Sequence, residues 1–546
     1  MHRVFSGQRT ALDRWCTPVE RWIYRFTSVD PESEMTAAQY AIAFVVFGFV
    51  CTLFLYIILR LQRFLPWFYP AYQTTPLSPD LSMNTAISFS TATTWQAYSG
   101  ETTVSYFSQM VGLCAQNFLA GAAGLAVGIA FIRGLARESC ATLGNFWVDL
   151  TRSLLRILLP GSLIGALLLV WQGVPMNFHP YFAAGTVEGG PQTIPQGPVA
   201  ALEIIKNLGT NGGGFFNANG AHPYENPTPL SNFIELLSIV LIPAALTNTF
   251  GRMVQHLRQG WMLYWVMLVF LCAGFVALHL AERQTNPFVH GAGFRQSHLQ
   301  TGGNMEGKEV RFGIGGTALA GVVTSNTSTG SANAADDSFT SAGGLVLLIN
   351  LLLGEVIFGG LGMGLAGMIM TAVIAVFLAG LMIGRTPEYL GKKIGPGENK
   401  MIVLYALTAP VTILLLSAIS IVTQAGLAGL TTNDGPHGLT EVAFAFASSF
   451  GNNGQAFAGL NANTLFYNIT TAIAMMAGRF GLVVPALCFA GLAGRQKNRP
   501  PTRGTLRTDS FTFGALLMVF LLLVTALSYL PVLTLGPVLE QLQFGI

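Results

Sequence analysis

At 546 residues the chain could hold three or four soluble domains, yet 51% of it is hydrophobic and only 10% is charged, against about 25% charged in an ordinary globular domain. So much apolar surface must face lipid or other membrane helices, which excludes a disordered chain and a free cytosolic enzyme. The net charge of +3 is small, and the basic residues lie in short connections between apolar runs, so they form no nucleic-acid-binding face.

In chain order, the segment 1–37 is polar and mixed in charge up to about Met35, unlike a cleavable signal peptide. Apolar runs long enough to cross a bilayer, about 20 residues, follow at 39–59, 104–132, 154–171, 233–250, 261–280, 345–383, 402–422, 465–492 and 511–530. The run 345–383 is too long for one straight span. Glycines at 354, 359, 360, 362, 364 and 367 interrupt it, so a broken helix with a flexible middle is predicted. The match to GxGxxG at 362–367 lies inside this apolar run rather than in a βαβ unit; it reads as a pivot, a gate or close helix packing, not as a nucleotide site. Six scattered cysteines form no CxxC pair, and the eight histidines show no ligand spacing.

Four connections are basic: Arg133, Arg137, Arg152 and Arg156; Arg252 and Arg258; Arg385, Lys392, Lys393 and Lys400; Arg495, Lys497, Arg499, Arg503 and Arg507. They alternate with longer connections rich in Gly, Pro, Asn and Thr, so the basic set is placed on the cytoplasmic side. The N-terminus then lies inside, and nine spans put the C-terminus outside.

Each outward connection carries the same parts: a half-apolar stretch too short to span, a small-polar turn, then the next helix. The turns read TTWQAYSGE (93–101), GTNGGGFFNAN (209–219), TSNTSTGSAN (324–333) and SFGNNGQAFAGLNAN (449–463). Their centres, Thr94, Gly212, Gly330 and Gly454, stand 118, 118 and 124 residues apart. Asn211-Gly212-x-x-Phe215 answers Asn453-Gly454-x-x-Phe457, and Asn217-Ala218-Asn219 answers Asn461-Ala462-Asn463. A fixed interval with matched motifs is the signature of internal duplication. A single such turn would be an ordinary helix connection; four at a constant interval are not.

The predicted fold is an all-α polytopic membrane protein of four pseudo-symmetric helix–pore-loop–helix repeats, potassium-channel-like, plus a C-terminal transmembrane helix. Repeats fall at 38–135, 150–258, 260–384 and 401–493. Cytoplasmic connections fill 385–400 and 494–509, and 510–546 holds the last helix and an outer tail. Turns of Gly, Thr, Ser and Asn let backbone carbonyls point at a common axis, where a carbonyl ring replaces the water shell of a potassium ion. Glycine supplies the backbone angles this needs, and the turn centres lack the carboxylates a multivalent cation would call for. The candidate ion-binding residues are Thr93, Thr94, Thr210, Asn211, Gly212, Ser328, Thr329, Gly330, Asn452, Asn453 and Gly454, with Gln96, Gly100, Glu101, Gly213 and Gly214 adjacent.

Arg479 sits midway along an apolar run, where an arginine is expensive and usually faces a cavity or ion path. Below the fourth turn it would repel cations; its central position disfavours a snorkelling helix end. Gly354, Glu355, Gly359 and Gly360 join it as a candidate barrier. Glu101, Asp336, Asp337 and Glu441 flank the turns and read either as a cation-concentrating mouth or as solvated loop residues and caps. Neither a GxxxxGK[ST] phosphate loop nor a DKTG motif is present, so uphill transport would draw on an ion gradient or another subunit.

The motifs WQAYSGETT (95–103), GTNGGGFFNAN, NMEGKE (304–309), GEVIFGG (354–360), LMIGRTPEYLGKKI (381–394), GPHG (435–438) and GRFG (478–481) span almost the whole chain. Together they closely resemble the KdpA family, the potassium-binding, channel-like subunits of bacterial Kdp potassium-transporting ATPases. That resemblance implies a non-catalytic subunit in a bacterial inner membrane, binding potassium in the filter named above and passing it sideways to a P-type ATPase subunit that hydrolyses ATP. It also implies small membrane subunits as partners, no organic cofactor, Arg479 as the charge below the filter, and Gly354–Gly360 as the interruption that blocks direct passage. Two departures stand out: family members begin with an additional spanning helix, and a member can carry Asn where this chain has Thr94. A stand-alone potassium channel or gradient-driven symporter of the same superfamily is the alternative expectation. An intramembrane enzyme is not favoured, because no paired carboxylates or His/Ser constellation recur in one segment.

Overall fold

The computed structural model describes residues 1–284, 302–384, 387–500 and 506–543. Arg385 and Arg503, counted above in the basic connections, lie outside the described residues.

Among the described residues, nine helices are long and apolar enough to cross a membrane: Ala37–Phe64, Ser108–Ala136, Phe146–Trp171, Pro229–Met253, Leu257–Glu282, Met363–Met382, Pro396–Val422, Leu465–Arg495 and Phe511–Gln543. Local sequence sets their starts. Thr36 and Gln39 form a capping box before the first, and Thr228 with Pro229 opens the fourth. Thr464 and Ser510 cap the eighth and ninth. Each cap satisfies backbone N–H groups that a helix start leaves orphaned.

Burial separates core from periphery. Ser108–Ala136 has 89% of its apolar window covered by protein, whereas Pro396–Val422 has 17%. The latter presents Val403, Leu407, Val411 and Leu415 outward at every fourth residue, a lipid-facing stripe. The central helix is instead lined with Gly121, Gly124 and Gly128, which lets neighbouring backbone approach closely.

Among the described residues, four shorter helices lead into the small-polar turns: Pro79–Ser90, Val199–Leu208, Gly313–Asn326 and Gly435–Phe450. Each ends in one of the four small-polar turns and is followed by a helix. In the third unit that helix is broken, as the glycine pattern predicts: Ser341–Leu352 stops, the chain runs irregularly through 353–362, and Met363–Ile383 resumes.

One expectation needs correction. The last helix does not end near 530. It bends at Tyr529 and again at Gly536 and continues to Gln543, because Pro531 and Pro537 remove backbone donors without ending the hydrophobic surface. The polar N-terminal segment folds in part into the amphipathic helix Asp13–Thr27. The few strands are short antiparallel pairs, such as Phe182–Gly185 with Pro191–Ile194.

Candidate ion-binding filter

The four turns share one backbone conformation. Ala92, Thr210, Ser328 and Asn452 all have φ near +50° to +64°, and two residues later Thr94, Gly212, Gly330 and Gly454 are again positive, at 49°, 79°, 68° and 90°. Behind them, the N–H groups of Thr93, Asn211, Thr329 and Asn453 donate to the carbonyls of Ser88, Lys206, Thr324 and Ser448, each five residues earlier. Thr94 and Gly212 donate to the same carbonyls as their predecessors. The turn N–H groups thus converge backward on the end of the short helix in a nest-like fashion.

The four turns also lie against one another. A Cβ placed on Gly212 would fall 1.5 Å from the Thr329 carbonyl oxygen, one on Gly330 2.1 Å from that of Asn453, and one on Gly454 2.1 Å from that of Thr93. Gly213 meets Thr94 less tightly, its Cβ position 3.2 Å from the Thr94 oxygen. Turn one touches two, two touches three, three touches four, and four touches one. The ring is closed. Thr93, Thr94, Thr210, Asn211, Ser328, Thr329, Asn452 and Asn453 are all buried in it. Side chains bind the ring as well: Asn452 Nδ2 donates to Thr93 Oγ1 at 2.9 Å, and the Thr94 hydroxyl meets the Asn211 carbonyl.

The adjacent residues clasp turn one to turn two. Gln96 accepts from the Gly214 N–H and donates to the Gly214 carbonyl, both at 2.9 Å. Gly100 lets the Phe215 carbonyl approach, its Cβ position only 2.2 Å from that oxygen. Glu101 accepts from the Asn217 N–H at 2.9 Å. Gly214 packs against Asn219 and Glu225. Glu225 carries no motif signal, yet its fully buried carboxylate accepts the N–H groups of Phe215 and Phe216 at 2.5 and 3.1 Å. Sequence reading misses it, as it misses Ala92, whose left-handed backbone no residue type would announce.

On one side the ring opens into a cavity of about 600 Å³ lined by Trp95, Gln96, Asp336, Gly454, Gln455 and Asn461 among others. Asp336 accepts from Gln455 at 2.6 Å, and burial pushes its carboxyl up to about 7. Asp337 and Glu441 both receive the Asn433 amide. Of the four acids, three are therefore tied into loop structure and only Asp336 lines the mouth. His437 joins them: Nε2 lies 2.8 Å from Asp337 and Nδ1 2.9 Å from Glu540.

On the opposite side the ring narrows to a cavity of about 10 Å³, room for about one water. Thr210, Ser328, Glu355, Gly360, Asn452 and Arg479 line it. Arg479 is buried, donates to the Ala120 carbonyl at 2.8 Å and lies over the Phe44 ring. The broken segment closes this floor. Gly354, Glu355, Phe358 and Gly362 take positive φ, Gly359 packs on the Glu355 carbonyl, and the Leu361 N–H donates to Thr210 Oγ1 at 2.9 Å.

Nine apolar helices among the described residues, with four short helices whose end turns close on one another in a ring, define an all-helical multi-pass membrane protein. Comparison with known proteins narrows the class. The chain matches the family KdpA, "Potassium-transporting ATPase A subunit", over residues 1–542, and it belongs to that family. It is 52% identical to the potassium-transporting ATPase potassium-binding subunit of Methylorubrum extorquens over 541 residues, 99% of this chain and 93% of that protein. The subunits of the same name from Koribacter versatilis and Bradyrhizobium diazoefficiens are each 50% identical, covering all of this chain and 94% of their own length.

Proposed function

We propose that this chain is the potassium-binding and translocating subunit of an ATP-driven, high-affinity uptake complex. The closed ring carries the reading: four turns of identical backbone hand, each touching the next, leave uncharged oxygens around one axis. Such oxygens replace the hydration shell of a monovalent cation. The negative ends of four short helices converge there and favour a positive charge. Potassium enters from the wide outer cavity, is stripped in the ring, and meets a floor closed by Arg479 and the broken helix. Passage then goes sideways to a P-type ATPase subunit, with small membrane subunits completing the assembly in a bacterial inner membrane. The basic connections support an orientation with the N-terminus of this sequence inside and its C-terminus outside. ATP hydrolysis belongs to the partner.

Two measurements test this. Solubilised in mild detergent, the chain is expected to co-purify with an ATPase stimulated by micromolar-range potassium. Reconstituted alone in liposomes, it is expected to pass little potassium. Rapid flux through the chain by itself would instead establish the stand-alone channel.

A further inference from the structure

The helix Asp13–Thr27 presents three distinct faces. Asp13, Thr17 and Glu20 turn inward onto Arg156, with Arg156 Nη2 2.9 Å from Glu20 Oε2; Tyr24 is buried on the same side. Turned away from that face, Trp15, Val19, Trp22 and Phe26 are 71%, 43%, 66% and 79% exposed. Steps of four, three and four residues place them in one stripe. Trp22 and Phe26 stack at 5.7 Å. Beside this stripe, at the same spacing of seven and four, Arg14, Arg21 and Arg25 are exposed. The two acids of the helix are both paired with Arg156, and among the described residues Arg14, Arg21 and Arg25 form no ion pair.

Its position says what covers the stripe. Arg156 lies less than one turn before Leu159, where the lipid-facing surface of Phe146–Trp171 begins with Leu159, Leu163, Ile164 and Leu167, all exposed. The apolar stripe therefore continues the bilayer-facing surface at headgroup level. Trp and Phe favour that zone, and arginines flanking them meet the phosphates.

We propose that this helix is a binding element for anionic phospholipids, with the aromatic stripe seated at the headgroup–acyl boundary and Arg14, Arg21 and Arg25 engaging lipid phosphates. The inference is independent of the filter. Near an anionic surface each arginine contributes roughly fivefold in affinity, so the three together make the site selective and not merely greasy.

The test uses the full chain in nanodiscs of phosphatidylcholine containing a small fraction of lipid brominated near the carbonyl. Emission of Trp15 and Trp22 is obtained as the difference from a W15F/W22F variant. Brominated phosphatidylglycerol is expected to quench it several-fold more than brominated phosphatidylcholine at equal mole fraction. The exposed-residue variant R14Q/R21Q/R25Q is expected to keep the quenching and lose the preference. Should the tryptophan variant not fold, the preference in total emission and its loss in the arginine variant give the same answer. Equal quenching by both lipids overturns the proposal. So does quenching by aqueous iodide, or protection from lipid and iodide alike, which would mean a protein partner covers the stripe.

Discussion

Left-handed backbone costs a residue with a side chain roughly 1–3 kcal/mol, and Ala92, Thr94, Thr210, Ser328 and Asn452 all adopt it within the ring. The strain persists because the turn N–H groups are anchored behind and the neighbouring turns press from either side. Glycine relieves it where the contact is tightest. Gly454→Ala, at φ 90° and facing the Thr93 carbonyl, is expected to weaken potassium binding by about tenfold or more and to admit sodium and rubidium; competition binding on the purified complex measures both, and unchanged selectivity would count against the ring as the filter. Glu225 acts one layer out. Glu225→Ala leaves two buried N–H groups without an acceptor, at about 1–3 kcal/mol, and is expected to lower potassium affinity and thermal stability together. Glu225→Gln keeps an acceptor oxygen and should recover most of both; equal damage by the two variants would show that the charge, not the acceptor, matters.

Elements matter here through their ends. Each short helix stops at the ring and aims its C-terminus there, and the interrupted helix supplies the floor instead of a span. Its fit depends on small residues opposite: a Cβ on Gly128 would lie 2.4 Å from the Gly362 Cα, and one on Gly124 2.5 Å from the Leu361 carbonyl. Arg479 fills the remaining gap. Arg479→Ala is therefore expected to open a leak, seen as potassium flux from liposomes holding the chain alone, with filter selectivity retained; flux no higher than for the parent protein would remove Arg479 from the barrier. At the opposite end, Lys392 gathers the carbonyls of Gly134, Arg137 and Ala493, the last turns of two spans. Basic groups suit helix C-termini. Lys392→Met should cost about 1–3 kcal/mol, read as a lower unfolding temperature without altered ion preference.

For the whole molecule, the outer ties join distant parts of the chain. His437 opens the fourth short helix, Asp337 belongs to the third unit, and Glu540 ends the last helix. Burial opposes a charge on His437, but its hydrogen bonds to Asp337 and Glu540 outweigh that and raise it to about 10 from 6.5. Folded protein thus holds this proton where the unfolded chain has released it. The contribution is complete below pH 6.5 and is lost as pH rises through about 10. Melting temperatures across this window are expected to fall with pH, and His437→Asn should flatten the slope; an unaltered slope would show that other groups set it.

Sequence alone determined what depends on composition and period. Apolar length marked the nine spans, glycine density marked the break, and the constant interval with answering motifs marked four equivalent turns, because lipid and backbone sterics act on each segment locally. It also singled out Arg479, since a charge in a long apolar run is costly wherever it points. What only the tertiary structure decided is who touches whom. The order in which the turns close their ring, the carboxylate of Glu225 under Phe215 and Phe216, the imidazole of His437 between two distant acids and the salt-bridged docking of Asp13–Thr27 on Arg156 all join residues about 10 to more than 300 positions apart. No local period encodes such pairings; they exist because packing buries groups whose hydrogen bonds must then be satisfied by whatever the fold brings near.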